Sequence, residues 1–121
     1  MITEDFTSYA KGALSHQLAR SVAAHPAFED RDAHITYHRG EYGAMCGDSA
    51  TITFSPQDTV TLRDYAGADG HGLIVTVTMN GDTHTPTYYM RHTPLGIADA
   101  DWRTLTVDTI AHNAAPAAAP A

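Results

Sequence analysis

Cysteine and lysine are almost absent from this chain of 121 residues, and each scarcity excludes a class of protein. Cys46 is the only cysteine, so no intrachain disulfide can form and a disulfide-stabilised secreted scaffold is excluded. A lone thiol is typical of a reducing compartment and favours the cytoplasm. Lys11 is the only lysine, the arginines are scattered, and the net charge is −7. Binding to a phosphate backbone needs clustered cations, so we expect no nucleic-acid partner.

Long apolar runs are also missing. The longest run, Leu73-Ile74-Val75, is far too short to cross a bilayer. Glu4 and Asp5 lie near the start, where a signal peptide would be basic. These features predict a soluble protein with no membrane partner. Apolar residues make up 43% of the chain, enough for one hydrophobic core at this length.

The first predicted element is an amphipathic helix at residues 4–24. Thr3 is its expected N-cap, and Glu4 and Asp5 lie in the first turn, where the helix dipole favours negative charge. Pro26 is expected to end the helix. The apolar residues recur every three or four positions, as one face of a helix requires: Phe6, Tyr9, Ala10, Ala13, Leu14, Leu18 and Val22.

Beyond residue 33 the apolar pattern changes to alternation, which predicts β-strands. Ser55-Pro56-Gln57-Asp58 and Asn80-Gly81 are turn sequences that join two pairs of these strands as hairpins. Pro86 indicates an irregularity in the strand that follows Asn80-Gly81. Residues 64–72 contain three glycines and are predicted to form a flexible hairpin loop. The predicted strands are residues 35–37, 51–54, 59–63, 73–79, 83–91 and 103–110.

A helix followed by strands with short connections is typical of an α+β fold. We predict an N-terminal amphipathic helix packed on an antiparallel, meander-like sheet of five to six strands, whose apolar face the helix covers. This single domain is assigned to residues 1–112. Residues 113–121 contain only Asn, Ala and Pro and are predicted to form a C-terminal tail.

Eight histidines are many for a chain of this length. His34 and His38 lie four residues apart and Glu41 follows, a spacing that suits one shared metal ion only on a helix. In the predicted strand the two imidazoles are ~13 Å apart, too far for one ion. We therefore predict no metal and no other cofactor unless three histidines converge with a carboxylate. The histidines considered for such a site are His34, His38, His71, His84, His92 and His112.

No catalytic residue is predicted either. Cys46-Gly47-Asp48-Ser49 offers a thiol, a hydroxyl and a carboxylate, but the sequence fixes no histidine beside them. We interpret this segment as a turn. The glycine-rich residues 64–72 match neither a calcium-binding loop nor a nucleotide-binding loop.

Threonines recur in pairs separated by one residue, which places both members on the same face of a strand. The pairs are 51/53, 59/61, 76/78, 83/85 and 104/106. An array of threonines could bind an ordered surface such as ice or a carbohydrate. The irregular spacing between the pairs favours a simpler interpretation, in which threonine occupies the solvent-facing side of a half-buried sheet.

Exposed aromatic residues are the remaining candidates for a binding surface, because aromatics are enriched in protein interfaces. Tyr88 and Tyr89 are adjacent on a predicted strand, so one of them points away from the core. The predicted interface residues are Tyr42, Met45, Tyr88, Tyr89 and Trp102.

The favoured hypothesis is a non-enzymatic protein that binds another protein or itself. A small acidic α+β domain without a convergent polar constellation fits a phage or mobile-element protein. It would be a structural subunit, located in the virion, or an acidic inhibitor that occupies a basic groove of a host factor. The alternative hypothesis is a small enzyme or ligand-binding domain that uses clustered His and Asp side chains, with or without a divalent metal.

Overall fold

The computed structural model describes residues 1–40, 47–67, 70–91 and 99–118. They form two α-helices and a mixed sheet of seven strands, which is an α+β fold. No helix in these ranges is long and apolar enough to span a membrane. The strands are β1 (Ile2–Asp5), β2 (Ala33–His38), β3 (Ser49–Ser55), β4 (Asp58–Gly67), β5 (Gly70–Met79), β6 (Asp82–Thr83) and β7 (Thr87–Met90). The helices are α1 (Leu14–Ala23) and α2 (Asp99–Ala118), and a 3-10 turn at Pro26–Phe28 follows α1.

The sheet begins with a parallel pair and continues as an antiparallel meander. Its order is β1-β2-β3-β4-β5-β6, and β7 also pairs with β5. β1 and β2 are parallel because α1 lies in the connection between them, which makes a βαβ unit. The other pairs are antiparallel. Both helices pack on one face of this sheet, α1 across β2 to β5 and α2 against β5 and α1.

The hydrophobic core lies between the two helices and the inward face of the sheet. Alternation along the strands places every second side chain inward, as expected for a sheet covered on one side. Each fully buried aliphatic side chain contributes about 1.5–3 kcal/mol of transfer free energy. The buried strand residues are Ala33, Ile35, Tyr37, Ala50, Ile52, Val60, Leu62, Leu73, Val75 and Met79. The helices contribute Leu18, Val22, Trp102, Val107, Ile110 and Ala114.

The predicted central strands and both hairpin turns are confirmed. Residues 35–37, 51–54, 59–63 and 73–79 all lie within β2 to β5. Ser55 pairs with Asp58 across the first turn. Asn80 and Gly81 both have positive φ in the second turn, 54° and 82°. The return strand is interrupted between β6 and β7, where Pro86 indicated an irregularity.

The predicted helix at residues 4–24 is wrong in its first half. Residues 2–5 form β1 instead, so Thr3 lies in a strand and does not cap a helix. Phe6 and Tyr9 belong to an aromatic cluster: their rings are 5.6 Å apart, and both pack on Tyr37. The three- and four-residue spacing of the early apolar residues therefore does not reflect one helix face. α1 ends at Ala23, close to the predicted end.

The predicted strand at residues 103–110 is also wrong, because these residues lie in α2. Leu105, within that predicted strand, is 61% exposed on α2. Thr104 and Thr109 donate their hydroxyl hydrogens to the carbonyl oxygens of Ala100 and Leu105, one helical turn earlier. The buried residues of this segment recur at helical spacing: Trp102, Thr106, Val107, Ile110, Ala111 and Ala114.

Two further features of the predicted sheet need correction. Residues 64–72 are mostly paired strand, since β4 extends to Gly67 and β5 begins at Gly70; residues 68 and 69 lie outside the described ranges. Among the described residues the sheet has seven strands with one parallel pair, where five to six antiparallel strands were expected. Separately, α2 runs from Asp99 to Ala118 and crosses residue 112; the division into a domain and a C-terminal tail stays a prediction.

Asp58 joins three parts of the fold. Its Oδ1 accepts the backbone N–H of Asn80 at 2.7 Å, and its Oδ2 accepts from the guanidinium of Arg31 at 2.7 Å. The same guanidinium lies over the ring of Phe54, 5.1 Å from its centre. The Asn80 hydrogen bond, followed by the Arg31 hydrogen bond, holds the pKa of Asp58 below its ordinary value.

We expect Asp58→Asn to lower the free energy of unfolding by about 1–2 kcal/mol at pH 7. Because the folded-state pKa of Asp58 is lowered, the carboxylate stabilises the fold fully above the unfolded-state pKa of about 3.9. That contribution is lost as the pH falls through the lower, folded-state pKa. Urea denaturation from about pH 7 to pH 2 checks this prediction. We expect the difference in free energy of unfolding between wild type and variant to become smaller at low pH.

Asp82→Asn is the matched control, because Asp82 is exposed on β6. Its free energy of unfolding is expected to stay within about 0.5 kcal/mol of the wild type. If the free energies of unfolding of the wild type and Asp58→Asn differ by the same amount at about pH 7 and about pH 2, the result contradicts the ionic role of Asp58.

Candidate functional site

The face of the sheet opposite the helices is covered by no helix or strand of the described residues. We call the outward positions of the strands on this side the threonine face. The strand register aligns them in rows across the sheet. The first row is Thr3, His34, Thr53, Thr59, Thr78 and Thr83. The second is Asp5, Thr36, Thr51, Thr61 and Thr76, and the third is His38, Ser49, Arg63, Ile74 and Tyr88.

The threonines of the first two rows form a continuous hydroxyl-bearing surface. Neighbouring strands lie about 4.8 Å apart, so each row repeats a hydroxyl and a methyl group at that interval. The threonines on β2 to β5 are half-buried. At one side the hydroxyls of Thr78 and Thr83 are hydrogen-bonded at 2.9 Å, and at the other Thr3 contacts a ring nitrogen of His34 at 2.7 Å. The surface combines apolar methyl groups with groups that both donate and accept hydrogen bonds.

The threonine face carries almost no net charge, although the whole chain carries −7. Its three rows contain one acidic and one basic side chain, Asp5 and Arg63, besides His34 and His38. The excess of negative charge therefore lies elsewhere on the molecule.

Three of the five threonine pairs lie on this face, as the alternation of strands requires: 51/53, 59/61 and 76/78. The pair 83/85 contributes only Thr83, because β6 ends there. The pair 104/106 lies on α2 and contributes nothing. The rows arise from strand pairing, which the irregular spacing of the pairs along the sequence does not reveal.

The predicted interface residues separate into two environments. Tyr88 is 59% exposed on the threonine face, where its ring contacts Tyr65 edge-on at 5.8 Å. Tyr89 points the other way, packs against the core, and accepts a hydrogen bond from Asn113. Trp102 is buried, and its Nε1 donates to the carbonyl of Met90. The remaining two, Tyr42 and Met45, lie outside the described residues.

A buried polar cluster lies at the start of α1, on the opposite side of the sheet. It consists of Ser15, His16, Asp48 and Asp64, each at most 8% exposed. The carboxylate of Asp64 accepts the backbone N–H groups of Leu14 and Ser15 at 3.0 and 2.6 Å. The N-cap of α1 has no side-chain cap of its own, so a residue of β4 supplies the missing acceptors.

His16 connects α1 to the ends of two strands. Its Nδ1 accepts the backbone N–H of Ala10 at 2.8 Å, so the ring hydrogen is on Nε2. Nε2 donates to the carbonyl oxygens of His38 and Ser49, at 3.0 and 2.9 Å. These bonds fix the loop before α1 against the end of β2 and the start of β3.

The buried cluster contains the residue types of a catalytic triad but lacks its contacts. A triad needs the histidine to contact the hydroxyl and a carboxylate to contact the histidine. Both nitrogens of His16 are bonded to backbone groups. The hydroxyl of Ser15 donates to the backbone carbonyl of Asp48, and Asp64 accepts from backbone N–H groups. This pattern indicates a structural role for Ser15, His16 and Asp64.

A second polar cluster joins the end of α1 to α2. His25 Nε2 lies 2.6 Å from Asp108 Oδ1, and the rings of His25 and His112 meet edge-on at 5.6 Å. One ligand atom from each of the three residues lies within 4.8 Å of the others. Within the described part of the chain, this is the group of His, Cys, Asp or Glu side chains close enough to share a metal ion.

The histidines considered from the sequence do not converge as a set. His34 and His38 project from the threonine face, and His71 and His84 are exposed elsewhere. His92 and Glu41, like Cys46, lie outside the described residues. Only His112 belongs to the second cluster, and its partners His25 and Asp108 were not predicted. The spacing Asp108-x3-His112 is the signal that sequence reasoning missed, because it places both side chains on one face only if the segment is a helix.

No family model, no curated protein and no solved structure matches the chain. The threonine face and the two polar clusters are therefore interpreted from their own geometry.

We expect Asp64→Ala to lower the free energy of unfolding by about 2–3 kcal/mol, because two buried N–H groups of α1 lose their acceptor. Asp64→Asn retains one carbonyl oxygen and is expected to cost about half as much. Urea denaturation measures both, and hydrogen exchange at Leu14 and Ser15 is expected to accelerate.

Asp30→Ala, at an exposed position after the 3-10 turn, is the control and is expected to change the free energy of unfolding by less than about 0.5 kcal/mol. If Asp64→Ala is no more destabilising than this control, Asp64 does not anchor α1.

Proposed function

We propose that this chain is a non-enzymatic assembly subunit that binds a second copy of itself through the threonine face. The observation that supports the proposal is a broad sheet face that no described element covers, formed from aligned rows of threonine. The buried polar cluster gives no support to an enzymatic role, since its side chains bond to the backbone.

Charge favours a second copy as the occupant of this face. Two molecules of charge −7 repel each other, and a basic partner would be attracted to the acidic parts of the surface. The threonine face is close to neutral, so two copies can meet there without bringing like charges together. Asp5 lies at the β1 edge of the face and Arg63 on central β4.

The size of the face is sufficient for a weak dimer. Six strands at about 4.8 Å spacing and ~20 Å in length present roughly 600 Å² per copy. Stable interfaces bury roughly 600–1,000 Å² per partner, so this face lies at the lower end of that range.

The chemistry of the face is self-complementary. A two-fold axis brings the same patch of both copies together, and a hydroxyl can donate to an identical hydroxyl that accepts. The threonine methyl groups supply apolar contact between the two sheets. Tyr88, exposed at the β7 side, is positioned to anchor the edge of the contact. Self-association is the property that a structural subunit of a phage or other mobile element needs.

We expect the wild-type protein to dimerise with a Kd of roughly 1–100 µM, and Thr61→Lys to weaken dimerisation at least tenfold. Thr61 lies in the second row on β4, one of the two central strands, so each copy would bring an added positive charge into the interface. Sedimentation velocity over a range of protein concentrations measures both values.

Thr104→Lys is the matched control, with the same charge change at an exposed position of α2 on the other side of the molecule. Circular dichroism checks that both variants retain the fold. A wild type that is monomeric throughout the concentration range contradicts self-association. A dimer that Thr61→Lys leaves intact contradicts the threonine face as the interface.

A further inference from the structure

We propose that His25, Asp108 and His112 bind one divalent transition-metal ion of the Zn²⁺ class. This site lies on the helical side of the molecule, away from the threonine face, and does not rest on the proposed dimer. The three side chains come from the junction of α1 with the 3-10 turn and from two successive turns of α2. The ion would therefore connect the end of one helix to the second half of the other.

The separations suit a single ion after a small adjustment. Their ligand atoms lie within 4.8 Å of one another. Tetrahedral coordination at about 2.1 Å places ligand atoms about 3.4 Å apart. Asp108 and His112 are exposed, and they lie four residues apart on one face of α2, so their side chains can turn toward a common centre without moving the helix.

The tautomer of His112 already suits metal binding. Its Nδ1 lies 2.8 Å from the backbone carbonyl of Asp108, and a carbonyl oxygen only accepts, so Nδ1 carries the ring hydrogen. Nε2 is then the nitrogen with a lone pair for the ion. A backbone carbonyl bonded to the second nitrogen is the usual support of a metal-binding histidine.

His25 has to change its tautomer. Its Nδ1 accepts the backbone N–H of Ala27 at 3.0 Å, so Nε2 carries the hydrogen that faces Asp108. Coordination through Nε2 moves the ring hydrogen to Nδ1 and breaks the bond from Ala27. Metal binding therefore leaves a signature at a backbone amide that is not itself a ligand.

Two imidazoles and one carboxylate indicate the class of ion. Imidazole suits Zn²⁺ and neighbouring transition metals, whereas Mg²⁺ and Ca²⁺ prefer oxygen ligands alone. His25 and Asp108 also line an open groove of about 490 Å³ between α1 and α2, which gives an ion access to the site. With three protein ligands, the fourth position of a tetrahedral ion stays open to water.

Isothermal titration of the full chain with Zn²⁺ tests the proposal. We expect one ion per chain with micromolar affinity, and His112→Gln to weaken binding at least tenfold. His112 is exposed, so this variant is expected to keep its fold. Asp108→Asn is expected to have a similar effect, and Mg²⁺ is expected not to compete. His84→Gln removes an exposed histidine elsewhere and is expected to bind as the wild type does.

Nuclear magnetic resonance supplies a second measurement, because nonspecific Zn²⁺ binding would not change the signals of the Ala27 amide and the His25 ring. On Zn²⁺ addition we expect the Ala27 amide to shift and the His25 ring hydrogen to move from Nε2 to Nδ1. The proposal is overturned if the wild type binds no Zn²⁺ at 100 µM. It is also overturned if His84→Gln and His112→Gln lower the Zn²⁺ affinity equally. An unchanged Ala27 amide excludes His25 as a ligand and also overturns it. Thr61→Lys is expected to bind Zn²⁺ normally, so failure of the dimer and failure of the metal site are distinguishable.

Discussion

The contact between the Asp64 carboxylate and the first turn of α1 is the interaction on which the rest of the structure depends. α1 begins after Ala13, which cannot cap a helix, and a strand distant in sequence supplies the acceptor. This contact sets the position of α1 along the sheet. Its apolar residues Leu18 and Val22 then meet the inward face of the strands, and His16 reaches the ends of β2 and β3. A buried polar contact thus specifies how the helix sits, while apolar burial supplies most of the stabilisation.

Polar side chains have different roles on the two sides of the sheet. On the helical side of β4, Asp64 is committed to holding α1, and the neighbouring Ser15 and His16 are bonded to the backbone. On the other side, the same strand presents Thr59, Thr61 and Arg63 with nothing described above them. Because side chains alternate along β4, the one with a structural role lies on the helical side of the sheet, and those accessible to a partner lie on the threonine face. That separation is why the threonine face, and not the buried histidine, is the stronger candidate for function.

Sequence reasoning succeeded where the relevant partners are close along the chain. The central strands and the Asn80-Gly81 turn follow from local alternation and local φ preferences, and they are correct. β1 was missed because its partner β2 begins about 30 residues later, and no local pattern reveals a parallel ladder. α2 was missed because Thr104 and Thr106 resemble strand residues, although Thr hydroxyls can bond within a helix. That second error concealed the Asp108 and His112 pair, so one wrong element also hid two of the three ligands of the proposed metal site.

The two proposed sites lie on opposite sides of the sheet, and β7 connects them. α2 holds β7 through the Trp102 hydrogen bond to Met90 and the Asn113 hydrogen bond to Tyr89. The next side chain on that strand, Tyr88, projects onto the threonine face. The proposed metal ligand His112 is next to Asn113 in α2, which makes the second of these contacts. The two proposals nevertheless rest on different residues, the aligned threonines for the dimer and His25, Asp108 and His112 for the ion, so the failure of one leaves the other standing.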